Sequence, residues 1–211
     1  VFGTTVMETD PATINRCFTQ AFRDHKIEVP EYLIFANRGR DKRDAITSIV
    51  TQLNREEQLI HPILAAFKNH LENNLPNFVE NAELQGTIHF LRSQDIKIGV
   101  GTGLPKDIFN QIFIHLQWSR YSFDYIGIAE ELGRGRPHPD MIYDMMRKCK
   151  LPPSEFLKVG DTVADIQEGK NANVTTAALL SGTVSKARLL QEKPDFVISS
   201  LSGLIEIVKK S

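Results

Sequence analysis

Only two of the 211 residues are cysteine, Cys17 and Cys149, and they lie far apart without the close spacing of a metal site. A disulfide scaffold and a thiolate-held metal are thereby excluded. No apolar run approaches the roughly 20 residues of a membrane span, and the opening residues show no secretory signal pattern. A cytoplasmic protein without a membrane partner is expected. Neither sign of charge is in excess, since 25 basic and 26 acidic residues leave a formal net charge of -1. The basic surface that nucleic acid demands is missing, so no nucleic-acid partner is expected, although local phosphate binding stays open. What the chain does have is 41% hydrophobic residues, enough at this length to bury a substantial core.

From about Gln85 onward, helical patterns alternate with short apolar runs at Ile96–Val100, Tyr125–Ile128, Phe156–Val159, Val174–Leu179 and Phe196–Ile198. The runs are nearly continuous rather than alternating, as expected of strands covered on both faces. That rhythm predicts an α/β fold with a doubly wound parallel sheet, whose ligands bind at the row of strand-to-helix loops. Between Asp10 and Phe78 the pattern is helix after helix: Pro11 opens a run through Asp24, Asp41 caps Lys42–Leu53, and Arg55–Asn74 reads as one long amphipathic segment. The expected organisation is a core of residues 1–9 and 79–211 with a helical cap, residues 10–78, inserted after the first strand. Ile205–Lys210 predicts a last helix with cations at its negative end. The stripe Ile14, Phe18, Phe22 is either core or a surface for a possible homodimer.

Four loops then fall at one edge of that sheet. In Lys158-Val-Gly-Asp-Thr-Val-Ala-Asp165, a buried strand breaks at Gly160 and delivers two carboxylates at a helix mouth. Asp161 suits direct ligation of magnesium, which takes one or two carboxylates and keeps several waters, and Asp165 suits a supporting place. The plainer alternative is an N-cap aspartate followed by a dipole-facing one. In Val100-Gly-Thr-Gly-Leu-Pro-Lys106, the Thr102 hydroxyl and the Gly103 amide make a phosphate cradle, or else an ordinary turn. In Gly133-Arg-Gly-Arg-Pro-His-Pro-Asp140, Arg136 is placed to bridge a carboxylate and a phosphate oxygen, or to sit solvated. The start, Val1-Phe-Gly-Thr-Thr-Val6, predicts a strand tail and a glycine turn that offers the backbone of Gly3 and Thr4 to a ligand. Four such loops together point to phosphoryl chemistry more firmly than any one of them.

Taken in order, these segments resemble the four motifs of the haloacid dehalogenase superfamily, and most closely its phosphonatase-like hydrolases. Gly135-Arg-Pro-His-Pro-Asp140 carries the arginine that marks that group, and Gly160-Asp-Thr-Val-Ala-Asp165, Leu116-Gln-Trp118 and the Ala187–Leu204 tail are similar to it. The resemblance implies a Rossmann-like core with an inserted cap, magnesium dependence, and passage of a phosphoryl group from a small phosphorylated or phosphonate metabolite to an aspartate and then to water. It implies that Thr102 and the Gly103 amide bind the phosphoryl group and that Arg136 neutralises charge. It further implies that Asp161 holds the metal with Asp165 supporting, and that Phe2 gives its backbone carbonyl. The nucleophilic aspartate is expected immediately before Val1, with most of the first strand.

Two departures bear on substrate. Phe2 stands where most phosphatases of the superfamily carry a second aspartate. Lys42 falls where phosphonatases carry the lysine that forms an imine with an aldehyde, with Arg40 and Arg43 near enough in sequence to depress its pKa. Arg38 and Ala45 replace the methionine and histidine that flank that lysine, and a solvated helix start is the alternative for the segment. A catalytically silent phosphate- and metal-binding protein and a 2-haloacid dehalogenase remain alternative functions.

Overall fold

The computed structural model describes residues 3–10, 12–118, 123–182 and 184–210. Val1 and Phe2, including the expected backbone ligand at Phe2, and Pro11 lie outside the described residues. After a turn at residues 3–5, strand β1 (Val6–Glu8) pairs antiparallel with β2 (Phe78–Glu80), in the register Val6 to Glu80. Between them run α1 (Thr13–Arg23), α2 (Glu31–Ala36), α3 (Lys42–Gln52) and α4 (Ile60–Asn73). The rest alternates: α5 (Leu84–Ser93), β3 (Gly99–Thr102), α6 (Lys106–His115), β4 (Tyr125–Ile128), α7 (Ala129–Leu132), α8 (Asp140–Cys149), β5 (Leu157–Gly160), α9 (Val163–Asn171), β6 (Thr175–Leu179), α10 (Lys186–Gln191), β7 (Phe196–Ile198) and α11 (Gly203–Val208). The alternation is the Rossmann-like α/β order that the apolar runs predict, and every strand pair from β3 onward is parallel.

The expected single sheet is divided. β3 pairs with β4 and β5–β6–β7 form a second set, with no pairing between β3 and β5 among the described residues. A cavity of about 1030 Å³ separates them, lined by Gly99–Gly101 on one side and Leu157–Val159 on the other. The β3 strand also begins later than the apolar run at Ile96. The reason is local: the Ile98 amide donates to the Asp124 side chain at 2.8 Å, so the run's first residues serve as a lead-in rather than a ladder.

Among the helices, Asp41 caps α3 as predicted, its carboxylate accepting the Arg43 and Asp44 amides at 2.9 and 3.1 Å. The long segment from Arg55 is shorter than predicted. Asn54 takes a positive φ and Glu56 is extended, so the chain re-enters through a single 3-10 turn (Glu57–Leu59) before α4. Helix α2 is absent from the sequence prediction because six residues give no resolvable period. Ile14, Phe18 and Phe22 are buried within the protomer, with the Phe18 and Phe67 rings 4.3 Å apart between α1 and α4. They are core, and the dimer-surface alternative for this stripe is set aside. No helix among the described residues is long and apolar enough to cross a membrane.

Phe67 is fully buried at the α1–α4 contact. Phe67→Ala is expected to cost about 3–5 kcal/mol in urea unfolding, and an unchanged midpoint would contradict this account of the helical packing.

Candidate functional site

The strand-to-helix loops of β3 and β5 and the loop between α2 and α3 meet around a cavity of about 60 Å³. Lys42, Thr102, Gly103, Arg136, Asp161 and Asp165 all line it. Gly3 stands beside it, at φ +79°, where a Cβ would collide with the Asp161 carboxylate. Its carbonyl accepts the Ser181 hydroxyl at 2.7 Å. Thr4 lies apart from the small cavity and lines the large one, with its carbonyl accepting the Asn81 amide at 2.8 Å.

Helix α9 explains the two aspartates. Its N-cap is Thr162, not Asp161, and Thr162 forms a reciprocal capping box with Asp165. The Thr162 hydroxyl donates to Asp165 Oδ2 at 2.5 Å, and the Asp165 amide donates back to Thr162 Oγ1 at 3.3 Å. Asp161 is thus left over from capping, 3% exposed at the strand's end. Burial pushes its carboxyl up and the neighbouring Asp165 charge pushes it further. Burial raises Asp165 too, but Lys158 and Arg136 outweigh that and hold it below the usual carboxylate range.

Those two cations close a buried ring. Lys158 Nζ lies 2.9 Å from Asp165 Oδ1 and 2.9 Å from Glu168 Oε2. Arg136 Nε reaches the same two oxygens at 3.3 and 3.0 Å. The remaining Arg136 nitrogens donate to backbone carbonyls, Nη2 to Gly101 at 2.5 Å and Nη1 to Gly39 at 3.2 Å. The guanidinium is engaged on all three nitrogens by protein. Gly39, also at φ +79°, abuts Thr162 so closely that any side chain would collide. Lys158 and Glu168 were not among the residues expected from sequence. Their signals were faint: a lysine inside a buried strand, and an acid three residues after Asp165 on the same helical face.

Thr102 is buried, and its Oγ1 accepts the Leu104 amide at 3.1 Å, which leaves the hydroxyl proton available to a ligand. The Gly103 carbonyl accepts the Lys42 amide at 3.0 Å and fixes the start of α3 on the core. Lys42 Nζ donates to the Arg40 carbonyl at 2.9 Å and sits 5.9 Å from the Phe18 ring centroid. Burial pushes its pKa down to about 8, helped by Arg136 and Arg38 and opposed by Asp41. The sequence expectation named Arg40 and Arg43 as the helping charges, whereas Arg136 and Arg38 are the cations that act.

The sequence profile of haloacid dehalogenase-like hydrolases matches residues 2–179. A phosphonoacetaldehyde hydrolase of Bacteroides fragilis is 34% identical over 125 residues, 59% of this chain and 48% of its own length. One from Bacillus mycoides is 29% identical over 160 residues, 75% of this chain and 60% of its own. The matches therefore span only about half to three-fifths of these relatives. Among solved structures, a hydrolase from Pseudomonas syringae superposes with a TM-score of 0.87 at 16% identity, covering 99% of this chain and 96% of that one. A phosphonoacetaldehyde hydrolase-like protein from Oleispira antarctica gives 0.86 at 20% identity, covering 99% and 88%. These two share the fold.

Two measurements check the site. A lysine whose native pKa lies below its unfolded value burdens the fold fully below the native pKa, and the burden fades as pH rises toward 10.5. Titration of carbon-13-labelled lysine side chains, with Lys42→Arg for assignment, is expected to give Lys42 a midpoint of about 8; one near 10.5 would mean the amine is solvated. Arg136→Met leaves Asp165 and Glu168 with Lys158 alone and is expected to cost about 3–5 kcal/mol in denaturant unfolding. A loss below about 1 kcal/mol, the size of a surface pair, would mean that the ring does not form.

Proposed function

The chain belongs to the haloacid dehalogenase-like hydrolases, and from that premise we propose that it is a magnesium-dependent hydrolase of a small phosphate or phosphonate metabolite. The phosphoryl group passes to an aspartate directly preceding Val1 and then to water. The observation that carries this reading is the convergence of Thr102, Lys42, Arg136, Asp161 and Asp165 on one small cavity. The phosphonoacetaldehyde hydrolase names of the curated relatives give it further support.

Asp161 fits the metal. It is a buried hard-oxygen donor with no cation at ion-pair distance among the described residues, and its charge is disfavoured until one arrives. Asp165 fits the supporting place, because its oxygens are already committed to Lys158, Arg136 and Thr162. When bound, magnesium would neutralise charge on the phosphoryl group. The protein's own residues do the rest. Thr102 donates its hydroxyl proton to a phosphoryl oxygen. Arg136, held by the ring, fixes the Gly39 and Gly101 carbonyls beside the cavity rather than acting as a mobile clamp. Helices α1 to α4, residues 10–78 in all, act as the cap that keeps water from the cavity.

Lys42 gives the phosphonate branch its chemistry. With a pKa of about 8, roughly a tenth of the amine is neutral at pH 7. The neutral amine adds to an aldehyde carbon, the carbonyl oxygen leaves as water, and the resulting protonated imine can accept the electron pair released when a carbon–phosphorus bond breaks. Without an aldehyde on the substrate, the same residue serves as a cation beside the phosphate.

The test is phosphate release by the full-length protein from a panel of small phosphate esters and phosphonoacetaldehyde. Release is expected only with magnesium, and Asp161→Asn is expected to lower kcat/KM by about 100-fold or more. Borohydride trapping of an aldehyde adduct on Lys42 separates the phosphonate branch from ester hydrolysis. Silence across the panel, or a residue other than aspartate directly before Val1, favours a phosphate-binding protein without catalysis and overturns the enzyme reading.

A further inference from the structure

One cation of the small cavity has little protein engagement and points to a second acidic group on the substrate. Five ionisable side chains line the cavity among the described residues: Arg38, Lys42, Arg136, Asp161 and Asp165. Arg136 and Asp165 are spent within the ring, whose two cations and two carboxylates cancel. Among the described residues, Arg38, Lys42 and Asp161 remain outside the ring. Lys42 is tethered to the Arg40 carbonyl.

Arg38 is bound differently. Its one side-chain hydrogen bond among the described residues runs from Nη1 to Asn15 Oδ1 at 3.2 Å, and no described carboxylate stands at ion-pair distance. Burial lowers its pKa while Asp161 and Glu8 act on it from further off. The residue is also pre-positioned. The Phe35 ring lies 5.8 Å from its Cζ, Asn37 beside it donates to the Leu33 carbonyl at 2.9 Å, and Gly39 on the other side accepts from Arg136. A half-buried guanidinium with spare donors, fixed at the edge of a cavity, is arranged to receive an anion.

We propose that Arg38 is a specificity-determining residue that binds a carboxylate on the substrate end remote from the phosphoryl or phosphono group. The substrate is then a small molecule with two acidic groups, one met by Arg38 and the other by Thr102, which line the same cavity. The planar fork of Arg38 matches a carboxylate in two parallel hydrogen bonds. This inference rests on the phosphate or phosphonate reading above and adds the substrate's other end.

Calorimetric titration of the full-length protein with two unreactive probes tests it without relying on turnover. Phosphonoacetate carries a phosphonate and a carboxylate, and methylphosphonate carries the phosphonate alone. The wild type is expected to bind phosphonoacetate at least about tenfold more tightly, the worth of one charge-assisted hydrogen-bonded pair. Arg38→Gln is expected to shrink that ratio to about twofold or less, and Arg38→Lys, which keeps the charge but loses the fork, to leave an intermediate ratio. Equal affinities in the wild type would overturn the proposal alone. So would an undiminished ratio in Arg38→Gln, or an equal loss for both probes, which would make Arg38 a counter-ion of the fold. A wild type that binds neither probe would overturn the phosphoryl reading as well.

Discussion

The ring of Arg136, Lys158, Asp165 and Glu168 is the constraint on which the site depends. Removing four charges from water costs several kcal/mol for each ion, and the attraction repays it only where geometry is good and further hydrogen bonds are made. Here one oxygen of each acid contacts both cations, at 2.9 to 3.3 Å. The second Asp165 oxygen is taken by Thr162. Of the ring's carboxylate oxygens, Glu168 Oε1 is left buried without a hydrogen-bond partner among the described residues. Deleting one member would leave the others as uncompensated buried charge, so the four positions fix one another. The ring also spans the divided sheet. Lys158 belongs to β5 and Arg136 holds the Gly101 carbonyl of β3, so ion pairs and a hydrogen bond connect two strands that no ladder joins among the described residues.

A neutral ring has a consequence for the chemistry beside it. Its charges are fixed by protein partners and require no reorganisation when a substrate arrives, whereas Asp161, Lys42 and Arg38 are free to respond to one. Asp161 is pushed toward protonation by burial and by Asp165, and Lys42 is pushed toward the neutral amine by burial. In each the charged form is disfavoured, and a ligand of opposite charge would favour it again. A cation suits the first and an anion or carbonyl the second, which is the division of labour that phosphoryl chemistry requires.

Much of the fold was legible in sequence. The runs at Tyr125 and Phe196 are strands with the predicted bounds, and Asp41 caps α3, because burial on both faces and capping leave local patterns. The division of the sheet was not legible as such, since pairing is a long-range property. Six residues of the sequence motifs line one cavity, yet their partners were not legible. Arg136 reads as a free guanidinium in a loop, and only the fold reveals that Glu168, from 32 positions away, occupies it. Lys158 looks like an interruption of an apolar strand until α9 places two acids over it. Arg38 gave no periodic or capping signal, because its significance lies in what it does not contact.

The manner in which the helical segment meets the core follows from the same accounting. On the far side, α4 lies against α6 through the Gln111–Glu72 hydrogen bond at 2.8 Å and the Lys68–Asp107 pair, next to the β1–β2 ribbon. On the site side, the Gly39–Lys42 loop is held by two hydrogen bonds, from Arg136 to the Gly39 carbonyl and from the Lys42 amide to the Gly103 carbonyl. At about 1 kcal/mol for a neutral bond and 1.5–3 for a charged donor, separating that loop from the core costs roughly 2–4 kcal/mol before water repairs the exposed groups. Breaking the ring would cost as much or more for one member alone. The weaker seam therefore lies between Gly39 and Gly103, and it runs along the cavity itself, apart from the four ion pairs of the ring.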